Sequence, residues 1–206
     1  MACPHKFIDD LTLTNIDFVP TKLIVGTFNP GWDCLGNRAQ WFYGRTQNNY
    51  FWDLLPQLFE HKPMRNMSPV EWKAFCSKYG VALTDLITSI NDADISLEGH
   101  RELLKTYDDT KISKFSQFTF TDISKLLENN PTITEVYLTR QSDSGGFWDK
   151  LWSPIAEGCL ARKIRCEMLR SPSKSSRFFM TKGSGQKLPD FIFGDWIEKY
   201  YSQKMN

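Results

Sequence analysis

Along the chain, apolar residues come in short runs that end at turn formers, separated by longer stretches where they recur at helical spacing. Leu23 to Phe28 is a continuous apolar run closed by Asn29-Pro30-Gly31, the pattern of a strand buried on both faces of a parallel sheet. A helix is predicted to open near Asn48 or Asn49, with an Asn as its cap and Phe51, Trp52, Leu54, Leu55 and Leu58 facing inward. Ser68-Pro69-Val70-Glu71 predicts a second helix start: a Ser cap, Pro at the first helical position, and Glu three residues after the cap. That helix should end near Tyr79-Gly80, and Val81 to Ile87 reads as another strand. Thr121 to Asn130 reads as a helix stopped by Asn129-Asn130-Pro131, Glu135 to Thr139 as a third strand, and Phe147 to Ala161 as a helix. Ile164 to Leu169 is the fourth strand, and a helix over Asp190 to Tyr201 closes the chain. Strands alternating with helices predict right-handed βαβ units around a parallel sheet.

Composition adds the class. With 206 residues and no repeat or long linker, one domain spanning 1–206 is expected. Formal charge is +1, but it is unevenly spread. Cys159 to Leu188 holds eight basic residues and one acid, and Asp85 to Asp109 holds seven acids and two bases. A near-neutral chain polarised in this way can present one basic face to a polyanion. The five cysteines are odd in number and form no Cys-x-x-Cys pair, so a reducing, cytoplasmic setting is expected. His5, His61 and His100 lie far apart, and neither a metal nor a cofactor is expected. There is no signal-peptide pattern and no membrane-length apolar stretch. A monomer is expected.

Candidate chemistry concentrates after the first strand. Asn29-Pro30-Gly31 is followed by Ala39-Gln-Trp-Phe-Tyr-Gly-Arg-Thr-Gln-Asn-Asn-Tyr-Phe-Trp52, a loop dense in amides and flat rings. Open α/β sheets bind ligands at strand ends, and these groups suit a neutral, planar, hydrogen-bonding ligand such as a nucleobase. After the fourth strand, Arg170, Ser171, Pro172, Ser173, Lys174, Ser175, Ser176 and Arg177 form a Ser-Pro-Ser loop with basic residues. Asp85 sits at a strand–loop junction, where an acid more often caps or pairs than acts as a general base.

In these landmarks the chain resembles the uracil-DNA glycosylase superfamily. Gly26-Thr-Phe-Asn-Pro-Gly31 resembles its first motif, combining the Asn-Pro-Gly of the mismatch-specific and thymine branches with the Gly-Ser/Thr-Phe opening of the hypoxanthine branch. Asn49-Tyr-Phe-Trp52 is similar to the Asn-x-Phe-Trp that starts the next helix in the mismatch-specific and hypoxanthine branches. Gly80-Val-Ala-Leu-Thr-Asp-Leu86 resembles the segment that follows, and Leu169 to Ser176 takes the place of the second motif. The resemblance implies a three-layer α/β/α sandwich with a central four-stranded parallel sheet. It also implies DNA containing a damaged or mismatched base as partner, no membrane, and hydrolysis of the N-glycosidic bond of a flipped, deaminated base such as uracil or hypoxanthine. Four departures are visible: no His precedes Ser171-Pro172, Lys174 to Ser176 lack the family's apolar wedge, no set of four spaced cysteines matches the iron–sulfur cluster of certain branches, and the turn at Asn29 has one residue more than Gly-Ile-Asn-Pro-Gly. Such departures keep open a non-catalytic DNA- or nucleotide-binding protein, and a free-nucleoside hydrolase.

The chemistry assigns roles to the matched positions. Asn29 and Asn49 are the expected catalytic residues, an Asn amide holding the water. Gly26, Phe28, Pro30, Gly31, Phe42, Tyr43, Ser171 and Ser173 are expected around the base, with Phe42 or Tyr43 as the stacking platform. Backbone N–H groups near Gly31 are expected to face the ligand. Arg170, Lys174, Ser175, Ser176 and Arg177 are expected on DNA phosphates, and Lys182 and Lys187 to be merely solvated.

Overall fold

The computed structural model describes residues 1–45, 47–183 and 185–202. Four strands, β2 (Lys22–Gly26), β3 (Val81–Asp85), β6 (Glu135–Leu138) and β7 (Arg165–Met168), form a parallel sheet in the order β3-β2-β6-β7. β2 lies inside, its Leu23 opposite Ala82 on one side and Val136 on the other. Alternation along β2 divides the core in two. Leu23 and Val25 pack with α5 (Ile123–Asn129) and α6 (Phe147–Ala161), through Leu126, Trp148 and Trp152. Ile24 faces the opposite side, against α1 (Phe51–Gln57), α2 (Pro69–Tyr79) and α7 (Leu188–Tyr201). Helices therefore cover both faces, and the architecture is a three-layer α/β/α sandwich.

The predicted elements lie where the pattern placed them, within a few residues. α2 opens on the reciprocal Ser68–Glu71 capping box and ends at Gly80 with φ +63°. α1 starts one residue later than an Asn49 cap implies and two later than an Asn48 cap, with Tyr50 at the cap position. Its buried residues include Phe51, Trp52, Leu54 and Leu55, and the Trp52 ring stacks on Trp72 at 4.9 Å.

A second, three-stranded antiparallel sheet was not foreseen. β1 (Cys3–Pro4), β4 (Ile87–Ile90) and β5 (Phe118–Phe120) lie in the order β1-β4-β5. Between β4 and β5 the chain builds an arm of α3 (Glu98–Lys105) and α4 (Asp109–Ile112). The sheet matters because β4 begins two residues after β3 ends. Pairing β1 with β4 therefore brings the N-terminal segment to the carboxyl end of the parallel sheet.

Candidate functional site

From β2 the chain first steps outward to β3, then returns to add β6 on the other side of β2. The order thus reverses between β2 and β6, and a crevice is expected at their carboxyl ends. A cavity of about 1300 Å³ lies there. Gly26 ends β2 and Thr27 to Asn29 follow it, Asp85 ends β3, Thr139 to Ser142 follow β6, and Ser171 to Ser176 follow β7; all line it. A typical small-ligand pocket holds roughly 300–1,000 Å³, so this one has room for a base together with the sugar and phosphates that carry it.

Two loops close one wall. Tyr50 N–H donates to the Pro172 carbonyl at 2.7 Å, Lys174 N–H donates to Asn48 at 3.0 Å, and Asn49 pairs with Ser173. This backbone ladder joins the amide loop to the Ser-Pro-Ser loop, so Asn49, Ser171, Ser173, Lys174 and Ser175 share one rim. The Ser171 and Ser173 hydroxyls bond each other at 3.0 Å, and the Ser173 hydroxyl also meets Ser175. Buried Ser176 donates to the Ser171 carbonyl at 2.6 Å, holding the loop's shape.

The orientation of Asn29 follows from its neighbour. Ala39 N–H donates to Asn37 Oδ1 at 3.1 Å, so the Asn37 amide nitrogen must be the donor on its other side. It donates to the Pro30 carbonyl and, at 3.1 Å, to Asn29 Oδ1. That leaves the Asn29 NH₂ to serve the cavity. Asn49 is similar: its Oδ1 accepts from Phe51 N–H at 2.8 Å, steering the start of α1. Each amide can hold a water or donate to a carbonyl, but neither is a base.

The carboxylate at the end of β3, Asp85, also lines the cavity. Phe7 N–H donates to His5 Nδ1 at 3.0 Å, which leaves the ring proton on Nε2, where it is donated to Asp85 Oδ2 at 2.7 Å. Both side chains are buried. His5 is delivered by the small sheet: its N–H donates to Thr88 and Lys6 N–H donates to Asn29 O, each at 2.8 Å. Asp85 Oδ1 approaches Gly26, and a Cβ on Gly26 would also lie 2.7 Å from the Tyr43 hydroxyl. Gly26 is therefore the residue that lets the carboxylate and the phenol come together. Sequence reasoning passed over His5, because nothing local links it to a position 80 residues away.

Tyr43, with φ +56°, stacks on Phe51 at 3.7 Å and nearly parallel. Its hydroxyl meets Thr139 Oγ1 at 2.8 Å, and burial, reinforced by Asp85, holds the phenol well above its ordinary pKa. Tyr43 lines the cavity; Phe42 does not. Phe42 is a core ring among His5, Phe7 and Trp41, and cannot serve as the platform.

Several other expectations are corrected by position. Pro30 is buried beside His5 and does not line the cavity. Gly31 N–H donates to the Pro4 carbonyl at 2.9 Å and so is not available to a ligand. Arg170 lies behind the wall, its guanidinium 3.2 Å from Gln141 Oε1 and over the Phe191 ring. Arg177 opens on a smaller cavity of about 550 Å³ together with Lys182 and Lys187. Conversely, Phe178 and Phe179, in the 3₁₀ turn Lys174–Phe179, line the main cavity at 89% and 64% exposure. Exposed aromatics of this size are unusual on a surface that needs only solubility. They lie just beyond Lys174–Ser176, which itself has no apolar side chain.

Among the described residues no group of three or more His, Cys, Asp or Glu side chains could hold a metal ion, and no helix is long and apolar enough to cross a membrane. No family model matches the chain, and no curated protein matches it. Among solved structures, a solution NMR structure from Methanosarcina acetivorans superposes with a TM-score of 0.53 at 16% sequence identity, over 90% of this chain and 94% of that one. That protein is provisionally described as a uracil DNA glycosylase, and this chain is similar to it in fold over nearly its whole length.

Proposed function

We propose that the protein is a monofunctional DNA glycosylase that hydrolyses the N-glycosidic bond of a deaminated base flipped out of DNA. The observation that carries this reading is the convergence of Asn29, Asn49, Asp85 and Tyr43 on one cavity at the strand-order reversal. The likeness in fold to a protein provisionally described as a uracil DNA glycosylase, and the ordered motifs, favour the same chemistry.

In this scheme the base enters beside Tyr43, where stacking is worth roughly 1–3 kcal/mol. The Asn29 NH₂ donates to a base carbonyl. Asn49 or Asn29 holds the water, and Asp85 takes its proton, with His5 keeping the carboxylate in place. General-base help of this kind contributes about 10²–10⁴-fold. Lys174, Ser173 and Ser175 hold phosphates at the rim, and Phe178 fills the space that the flipped base leaves. Unstacking costs a few kcal/mol and least for a damaged or mispaired base, so selectivity begins before chemistry.

A panel of end-labelled duplexes, each with one uracil, hypoxanthine or xanthine, tests the reading. Alkali-dependent strand breaks with at least one of these bases are expected. Turnover of free deoxyuridine or deoxyinosine in preference to the duplex would select a nucleoside hydrolase. Salt-dependent DNA binding without breaks would select a non-catalytic binder.

A further inference from the structure

We infer that Arg45 is a further catalytic residue of this cavity, a guanidinium placed to stabilise the negative charge that develops on the departing base. The inference rests on the excision reading above. Gly44 makes a tight turn, its N–H donating to the Trp41 carbonyl at 2.9 Å, and the next residue is thrown into the cavity. There the guanidinium of half-buried Arg45 lies 3.6 Å from the centre of the Tyr107 ring. Tyr107 comes from the turn between α3 and α4 and has φ +54°.

What distinguishes Arg45 is that its charge is uncommitted. Of the other arginines lining the cavity, Arg65 pairs with Asp53 and Arg140 with Asp109 at 2.6 Å, while Arg38 is exposed to solvent. Among the described residues Arg45 forms no ion pair and its guanidinium donates to no protein acceptor; the ring of Tyr107 is its contact. The acids near enough to influence it are Asp85 and Asp109. Asp85 is engaged by His5, and Asp109 by Thr27 and Arg140. Burial pushes Arg45 below its ordinary pKa, with Tyr107, Asp85 and Asp109 pulling the other way. A guanidinium does not give up its proton in a protein, so the cation remains, poorly hydrated and unpaired. A site of this kind favours whatever anion forms beside it. Tyr107 adds a hydroxyl that is buried and without a partner among the described residues, a second group left for a ligand.

The anion is supplied by the reaction. As the C1′–N bond breaks, its electron pair passes to the base ring and onto the carbonyl oxygen. The water oxygen bonds to C1′ and gives one proton to Asp85, and the freed base anion later takes a proton from solvent. No imidazole precedes Ser171-Pro172 to meet that anion. Arg45, near Asp85 and Asp109 and not out on the rim with Lys174, is placed to do so.

The test compares uracil with 5-fluorouracil, a better leaving group, in the same duplex under single-turnover conditions. Arg45→Gln is expected to slow uracil release by about 10²–10³-fold and 5-fluorouracil release far less. Affinity for a duplex carrying an uncleavable 2′-fluoro analogue should not change. Arg45→Lys keeps the charge without the planar fork; it should show the same leaving-group dependence with a smaller loss, and it carries the test if the Gln variant does not fold. Equal slowing of both bases, with weaker DNA affinity and a salt slope reduced by about 1, would make Arg45 a phosphate contact and overturn the assignment. Wild-type rates in both variants would also overturn it. Wild-type protein that releases neither base overturns the excision reading, and the assignment with it.

Discussion

His5 Nε2 donates to Asp85 Oδ2 across 2.7 Å, and the two side chains come from segments 80 residues apart. Phe7 N–H on the other ring nitrogen fixes which face of the imidazole carries the proton. His5→Ala would leave a carboxylate oxygen buried without its donor, which costs about 1–3 kcal/mol. The expected outcome is a lower unfolding midpoint together with reduced excision. His5→Asn or His5→Gln should recover part of the activity if the amide nitrogen reaches Asp85. Full activity in His5→Ala would show that Asp85 needs no support.

Gly26→Ala is expected to abolish activity while leaving a folded protein. A Cβ there would meet Asp85 Oδ1 and the Tyr43 hydroxyl, both side-chain atoms at the cavity floor. The strand itself tolerates alanine, so circular dichroism and solubility should change little. An active Gly26→Ala enzyme would mean that the floor is looser than this geometry implies.

Phe178→Ala should leave stability within about 0.5 kcal/mol, as for other surface changes, because the ring is 89% exposed. Excision from duplex DNA should fall, and excision from single-stranded DNA much less, since a single strand needs nothing to fill the vacated stack. Equal effects on the two substrates would remove Phe178 from the flipping step.

Much of this fold was legible because its signals are local. The Ser68–Glu71 box and the apolar faces of α1 and α6 depend on spacing alone, and the structure places those elements within a residue or two. The strand-end position of Asn29 and the nearness of Asn49 to the Ser-Pro-Ser loop were legible in the ordered motifs. The rest depends on tertiary contacts. Phe42 and Tyr43 are adjacent aromatics, and only the positive φ at Tyr43 decides which one turns inward to stack on Phe51. His5 reaches Asp85 only because β1 pairs with β4. The arm that brings Tyr107 over Arg45 arises from the acidic 85–109 segment, whose helix α3 is short and fully buries only Leu104.

Asp109 offers a pH signature. Burial raises its carboxyl above the usual range, and Arg140 is first among the groups that pull it back. The folded protein therefore binds this proton more tightly than the unfolded chain does. The group's contribution to stability falls as pH rises from the ordinary aspartate value near about 3.9 through the raised one. Relative to Asp109→Asn, which cannot titrate, wild type should lose stability as pH rises from the ordinary aspartate value through the raised one. Thermal unfolding of both proteins across that range checks the sign. A wild type that gains stability relative to Asp109→Asn as pH rises contradicts it.

The most direct measurement is single-turnover release of uracil or hypoxanthine from a labelled duplex by wild type and by Asp85→Asn, read as strand breaks after alkali. Wild type should produce breaks that saturate with enzyme. The Asn variant, isosteric and still able to pair with His5, should be slower by about 10²–10⁴-fold with its DNA affinity intact. No breaks from wild type with either base, or an Asn variant as fast as wild type, would contradict an excision site built around this carboxylate.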